Sequence, residues 1–377
     1  MGWLLGAGAA GLLALACGQS DDFGASATTA PDGTGGSGAS GNFEDSGPTG
    51  VDGPIDASTM PKEASADMFV DGSRFQAVPI TYLVHAAPEL FDFRVCFRSG
   101  EKFVNKLPFP SDPEHFLPAS NYPGVPRGGV VEFGDSLLGT GEQVTLYLVR
   151  ADNEFVQDMQ PALNPKHSCE TLYKEADFVT MSLDRSALLN HTVRAIVIDK
   201  SSDGDAKAIG FSPELWLEPS TTQIYTAHSS PFLEALQTQG HAFELTYGKL
   251  KDGTTRTTIA ADLAFDRPPT APQDFTPPGS LADFSNVGFV ITQTHDTTTL
   301  FELKTSLADV QRISSPYETP QNFYAQSNGL WLLALGDVDA SVPSWLLSDG
   351  SWNPEYDGRG LHLLSLRFTF EQAAQEQ

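Results

Sequence analysis

Basic side chains are scarce in this chain. Lys and Arg number 22 against 48 Asp and Glu in 377 residues, a formal charge of -26, and they form no run. Nucleic-acid binding depends largely on neutralising phosphates with Lys and Arg, so that class of partner is excluded first. Helix-patterned stretches are also few, which excludes the alternating strands and helices of an α/β hydrolase. The apolar run at residues 3 to 16 is too short to cross a bilayer as a helix, so it does not read as a membrane span. Cysteine is limited to Cys17, Cys96 and Cys169.

What is abundant points to β-structure. The 26 Pro, 34 Gly and 24 Phe suit many turns joining short strands, and a chain of this length suits two domains plus non-globular segments.

The N-terminus specifies location. Trp3, Leu4, Leu5, Leu12, Leu13 and Leu15 with small residues between them form the apolar core of a signal peptide, and Leu13-Ala14-Leu15-Ala16-Cys17 reads as a lipoprotein signal. Residues 1–16 are then removed, and Cys17 carries the lipid. No Lys or Arg precedes Cys17, so the translation start is expected upstream. Gly18 stands where an Asp would retain the protein at an inner membrane, which favours the outer membrane or cell surface. From Cys17 to about residue 74 the chain is Gly, Ser, Ala, Thr, Asp and Pro, too poor in apolar surface to offset ordering entropy. It is expected to be a disordered acidic tether whose ends average about 40 Å apart. With Cys17 lipidated in an oxidising compartment, Cys96 and Cys169 remain as a pair, and a disulfide is the default over two buried thiols.

Patterned sequence follows. Val78 to His85 is a strand ending at Ala86-Ala87-Pro88, and Phe91-Asp92-Phe93-Arg94-Val95-Cys96-Phe97 alternates apolar and polar residues. Further strands are expected at Val130 to Phe133, Val144 to Val149 and His191 to Ile198, and later at Ala242 to Tyr247, Val287 to Thr292, Leu330 to Leu335 and Leu361 to Phe370. The opening Tyr82-Leu83-Val84-His85-Ala86-Ala87-Pro88 is echoed by Tyr225-Thr226-Ala227-His228-Ser229-Ser230-Pro231, which divides the chain into related modules at 75–219 and 220–372. The expected fold is all-β, two tandem β-sandwich, immunoglobulin-like modules after the tether.

Leu83-Val84-His85-Ala86-Ala87-Pro88, Asp92-Phe93-Arg94-Val95, Phe133-Gly134-Asp135 and the strand from Gly141 to Val149 together resemble domain of unknown function 4397. The second module shares the His228-Ser229-Ser230-Pro231 opening, with Leu335-Gly336-Asp337 as the suggested match to Phe133-Gly134-Asp135. The resemblance implies β-sandwich modules, often tandem, on secreted and envelope proteins of bacteria. The family has no established activity to carry over.

Four sets of residues could carry chemistry. Gly134-Asp135-Ser136-Leu137 matches the nucleophile block of GDSL esterases, but no Asp-x-x-His follows it; Asp112-Pro113-Glu114-His115 precedes the serine. A Gly-Asp turn after a strand explains the match, and the protein is read as a non-enzyme, with catalysis by Ser136 the rival. Asp199-Lys200-Ser201-Ser202-Asp203-Gly204-Asp205 copies part of a calcium loop, yet its twelfth position is Gly210 where a bidentate Glu is needed. Calcium near Asp199, Asp203 and Asp205 is therefore a minor alternative to an acidic turn, and no other metal or cofactor is expected. His85 with Pro88 and His228 with Pro231 are read as structural, each histidine bonding the backbone of a turn. Trp345 and Trp352 are candidate ligand contacts, able to stack on a sugar or anchor a protein; Trp331 and Tyr356 lie near them in sequence, and core filling is the competing role.

These readings give a lipid-anchored envelope protein that binds or scaffolds through an unidentified protein or glycan partner. A fatty-acid analogue fed to expressing bacterial cells is expected to label the protein, and Cys17→Ser is expected to abolish the label.

Overall fold

A computed structural model describes residues 74–87, 89–111, 124–151, 168–200, 204–215, 221–251, 255–267, 272–315, 318–338 and 359–372. Cys17 and the tether through residue 73 lie outside the described residues, as do Pro88, Asp203, Trp345, Trp352 and Tyr356.

Period-two alternation shapes the outer strands. Phe93, Val95 and Phe97 enter a core with Val144, Leu146 and Leu148, while Arg94, Cys96, Arg98, Thr145 and Tyr147 take the opposite face. In chain order the first half holds β1 (Phe75–Ala77), β2 (Ile80–His85), β3 (Phe93–Ser99), β4 (Lys102–Phe103), β5 (Val130–Phe133), β6 (Gln143–Arg150), α1 (Cys169–Glu175), β7 (Val179–Asp184), α2 (Arg185–Leu189), β8 (Val193–Ile198), β9 (Gly204–Asp205), β10 (Lys207–Phe211) and β11 (Glu214–Leu215). The second half holds β12 (Thr222–His228), α3 (Pro231–Thr238), β13 (His241–Lys249), β14 (Thr257–Ala260), β15 (Gln273–Phe275), β16 (Val287–His295), β17 (Thr298–Ser306), α4 (Leu307–Ser314), α5 (Pro320–Ala325), β18 (Gly329–Leu335), β19 (His362–Phe368) and β20 (Phe370–Gln372).

Each half is a sandwich, and the chain is all-β as its pattern predicts. The first has an inner sheet in the order β10-β8-β2-β5 facing an outer sheet β4-β3-β6-β7-β9; the second has an inner sheet β19-β18-β12-β15 facing an outer sheet β14-β13-β16-β17. The connectivity repeats. In both halves the first inner strand, β2 or β12, pairs parallel with β8 or β18 and antiparallel with β5 or β15. His85 and His228 end the equivalent strands β2 and β12. The boundary at 219/220 falls within residues 216–220, which are outside the described residues.

Topology corrects one suggested match. Phe133-Gly134-Asp135 leaves β5, whereas Leu335-Gly336-Asp337 leaves β18, the counterpart of β8. A Gly-Asp pair recurs because strand ends favour turn residues, and the two pairs terminate non-equivalent strands.

The inner sheets pack on each other. Tyr82, Val84, Val193, Ala195, Val197 and Ile209 meet Tyr225, Ala227, Trp331, Leu333, Leu366 and Phe368 in a third core. This makes four layers, and β8 and β18 are buried along their whole length, on both faces. Short β1 joins the ends of the two halves, pairing with β11 on one side and β20 on the other.

Cys96 on β3 and Cys169 at the start of α1 form the expected disulfide, with Cα atoms 5.6 Å apart and a sequence separation of 73. It ties α1 to the outward face of β3. On the chain-entropy model a loop of this size contributes about 4 kcal/mol. Replacing both cysteines with Ala is expected to lower the unfolding free energy by about that amount, read as a fall in the urea midpoint.

Candidate functional site

The outward face of the first outer sheet carries the arrangement best suited to contact a ligand. Strand register places Arg98 of β3 opposite Thr145 of β6, with Tyr147 on the same outward face. The β3–β4 hairpin brings in Phe103, while α1, held by the disulfide, brings in Tyr173. Ser168 caps α1, its hydroxyl accepting from the Thr171 N–H at 3.2 Å. The rings meet edge to face: Tyr147 and Tyr173 have centroids 5.3 Å apart, Phe103 and Tyr173 5.6 Å, and Tyr147 and Phe178 5.6 Å.

Arg98 lies over this cluster, its guanidinium carbon 5.4 Å from the Tyr173 centroid and 5.8 Å from that of Phe103. The Tyr147 hydroxyl, which accepts a hydrogen bond from Arg98, holds the guanidinium above its usual range. Tyr173 is 46% exposed. Phe232, Leu281 and Leu300 are the other exposed large apolar side chains among the described residues, and of these four Tyr173 alone stands in a cluster of rings crossed by a cation. The patch presents ring faces beside guanidinium donors, which suits a ligand with both apolar faces and hydroxyl acceptors.

A concavity of about 770 Å³ lies between the sandwiches. Edge strand β5 forms one wall and α4 the other, with Tyr82, Phe133, Ile313 and Phe323 lining it. Arg367 donates to both oxygens of Glu318 at 2.6 and 2.7 Å on one side of it.

The motifs singled out in the sequence separate into distinct environments. Ser136 sits exposed on a short 3-10 turn, Asp135–Leu138, directly after β5. No histidine hydrogen-bonds it among the described residues. Its neighbour is the committed residue: Asp135 accepts from the Thr81 hydroxyl at 2.8 Å and pairs with Arg194, whose Nε donates to Thr81 Oγ1 at 2.8 Å. Arg194 is 3% exposed, so the Gly-Asp turn supplies the countercharge for a buried cation.

Asp199 pairs with Lys207 at 3.7 Å; Lys207 also pairs with Asp266 of the second half and lies 3.9 Å from the Phe265 ring centroid. Asp205 is exposed on β9. Among the described residues no three His, Cys, Asp or Glu converge in a group fit for a metal ion.

The two related histidines are buried. His85 Nε2 donates to the Phe91 carbonyl at 3.1 Å, beyond the turn, and its Nδ1 has no partner among the described residues. Burial lowers its pKa to about 3, against the raising effect of that carbonyl. His228 bonds the Gln237 side chain on α3 at 2.8 Å, and burial lowers its pKa as well. Pro231 differs from the expected turn residue. It opens α3, with the Ser230 hydroxyl accepting from the Leu233 N–H as the cap. Trp331 is fully buried in the core between the inner sheets.

Arg98, Phe103, Tyr147 and Tyr173 were not singled out from the sequence. One signal was available: Cys169 followed by Tyr173, once bonded to Cys96, brings a helix beside the polar face of an alternating strand.

The Asp135 pairing separates a structural turn from a nucleophile block. Asp135→Asn is expected to destabilise the fold by about 2 kcal/mol, less than a fully buried pair because its carboxylate is 45% exposed. Ser136→Ala is expected to shift stability by under about 0.5 kcal/mol; urea unfolding measures both. No family model matches the chain, and no curated protein matches it. The crystal structure of a "putative adhesin" from Bacteroides ovatus is similar at a TM-score of 0.19 and 9% identity, over 76% of this chain and 95% of that one.

Proposed function

We propose that this protein is a lipid-anchored lipoprotein of the bacterial envelope with a non-catalytic binding role at the cell surface, and that the Arg98–Tyr173 patch receives its ligand. The observation that carries this reading is Tyr173, 46% exposed within a cluster of aromatic rings and under a guanidinium. A ring left in water costs hydrophobic free energy, so a large exposed ring already organised by neighbours and a disulfide is suited to burial by a partner.

The ligand class that fits is carbohydrate. The C–H face of a pyranose packs on an aromatic face, and guanidinium N–H groups donate to hydroxyl oxygens. The signal ending at Cys17 and the acidic tether support display away from the membrane. The esterase alternative has Ser136 on an exposed turn, without a hydrogen-bonded histidine among the described residues.

A glycan array probed with the lipid-free chain tests the reading. Wild type is expected to retain a defined set of glycans, and Tyr173→Ala and Arg98→Ala are each expected to lose about tenfold in affinity, the scale of one interface anchor. Unchanged binding in both variants, with loss in Trp345→Ala or Trp352→Ala, would move the site to the second sandwich.

A further inference from the structure

Two histidines far apart in sequence meet at the end of the second outer sheet. His241 is the first residue of β13 and His295 the last of β16, and the antiparallel register sets them directly opposite each other. Their rings lie 4.5 Å apart between centroids, tilted by 34°. His241 is half-buried, and the His295 side chain is 40% exposed, so both are open to solvent.

Each ring is held from the same side. His241 Nδ1 lies 3.0 Å from the Gln293 amide nitrogen, and His295 Nδ1 lies 3.4 Å from the Asp296 carboxylate. Neither Nε2 has a hydrogen-bond partner among the described residues. The amide of Gln293 can turn over to present its oxygen; His241 Nδ1 then donates to it and its Nε2 carries the lone pair, while the Asp296 carboxylate stands within ion-pair reach of His295 Nδ1. Metal-ligating histidines characteristically have this arrangement, with an outer carboxylate or carbonyl fixing the tautomer.

The backbone around the pair supports it. Asp296 and Thr297 form the two-residue turn into β17 with φ of 47° and 68°, left-handed at both positions, where Asn-Gly is the usual choice. A β-branched threonine there is strained, and such strain concentrates at functional sites. The turn sets Asp296 against His295. A register shift between Gln293 and Thr294 in the β16–β17 pairing adds a bulge beside the same residues. Gly240, which precedes His241, presents no side chain to His295: a Cβ there would sit 3.9 Å from Nε2.

We infer that His241 and His295 form a two-histidine site for a divalent transition-metal ion of the zinc, nickel and copper class. Imidazole suits these ions, with nitrogen-to-metal distances near 2.0–2.1 Å for zinc. No third His, Cys, Asp or Glu joins the pair among the described residues. Water therefore completes the coordination, and the ion remains exchangeable. Gln293 and Asp296 act as positioning residues. The site stands apart from the aromatic patch and does not depend on the glycan reading.

Calorimetric titration of the lipid-free chain with zinc chloride at pH 7.5 tests the inference. One ion per chain is expected, with affinity reduced more than tenfold in His241→Asn and in His295→Asn, and unchanged in His191→Asn. Gln293→Leu is expected to weaken binding by about 10-fold or more, the lower end for an outer-shell partner. Far-UV circular dichroism confirms that each variant is folded. A copper(II) titration followed by electron paramagnetic resonance reads the ligands in wild type, and coupling to two nitrogens is expected. Absence of zinc uptake, uptake retained by the double variant, or a copper spectrum without nitrogen coupling would overturn the inference.

Discussion

The contact between the two inner sheets is the constraint on which the rest of the molecule depends. Free sandwiches would leave the outer faces of β2, β8, β12 and β18 in water; here those faces meet through Trp331, Phe368, Tyr225 and Tyr82. Burying each such large side chain contributes about 1.5–3 kcal/mol. Among the described residues the Trp331 indole N–H finds no hydrogen-bond acceptor, a penalty of about 1–3 kcal/mol that the surrounding apolar contact has to exceed. Polar groups bridge the edges of the contact. Tyr82 donates to the Arg367 carbonyl, His362 Nε2 bonds the Gly128 carbonyl at 3.0 Å, and Lys207 reaches Asp266. The described residues, all of which follow Asp67, accordingly form one compact body.

With the central strands β8 and β18 buried on two faces, interaction with the outside falls to the outer sheets, the sandwich ends and the concavity beside edge strand β5. The first outer sheet uses its exposed face to support α1 and the ring cluster under Arg98. A disulfide is an effective device at that point, since α1 contributes few core side chains of its own, chiefly Leu172 against Val149. The second outer sheet places its two histidines at a strand end, beside a strained turn. The two arrangements rest on different physics. One depends on aromatic rings set outside the main cores, the other on ring Nε2 atoms without a hydrogen-bond partner among the described residues.

Histidine shows how far environment decides role. His85 and His228 sit at equivalent strand ends and are buried; desolvation favours their neutral forms. His362, buried at the contact between the halves, has Nδ1 2.7 Å from the Gly360 carbonyl and Nε2 3.0 Å from that of Gly128, and burial lowers its pKa too. His241 and His295 remain partly in water at the edge of a sheet. Nothing in the residue type distinguishes these cases.

The amino-acid sequence by itself determined the strands, the repeat and the disulfide. Alternation in Phe93 to Phe97 and in Val144 to Leu148 is a local property that any sandwich of these strands would use. The His85 and His228 openings reveal the duplication because equivalent strand ends need equivalent residues, and Cys96 and Cys169 pair because only two cysteines follow Cys17. Val193 to Ile198 and Leu330 to Leu335 read from the sequence as strands, and only their packing shows that both are buried on two sides. Tertiary structure alone decided that Trp331 is core, that Asp135 answers Arg194, that Tyr173 stands beside Arg98, and that His241 faces His295. Each of those depends on strand register and sheet packing, which set neighbours across tens or hundreds of residues, whereas periodicity records only which side of its own strand a residue occupies.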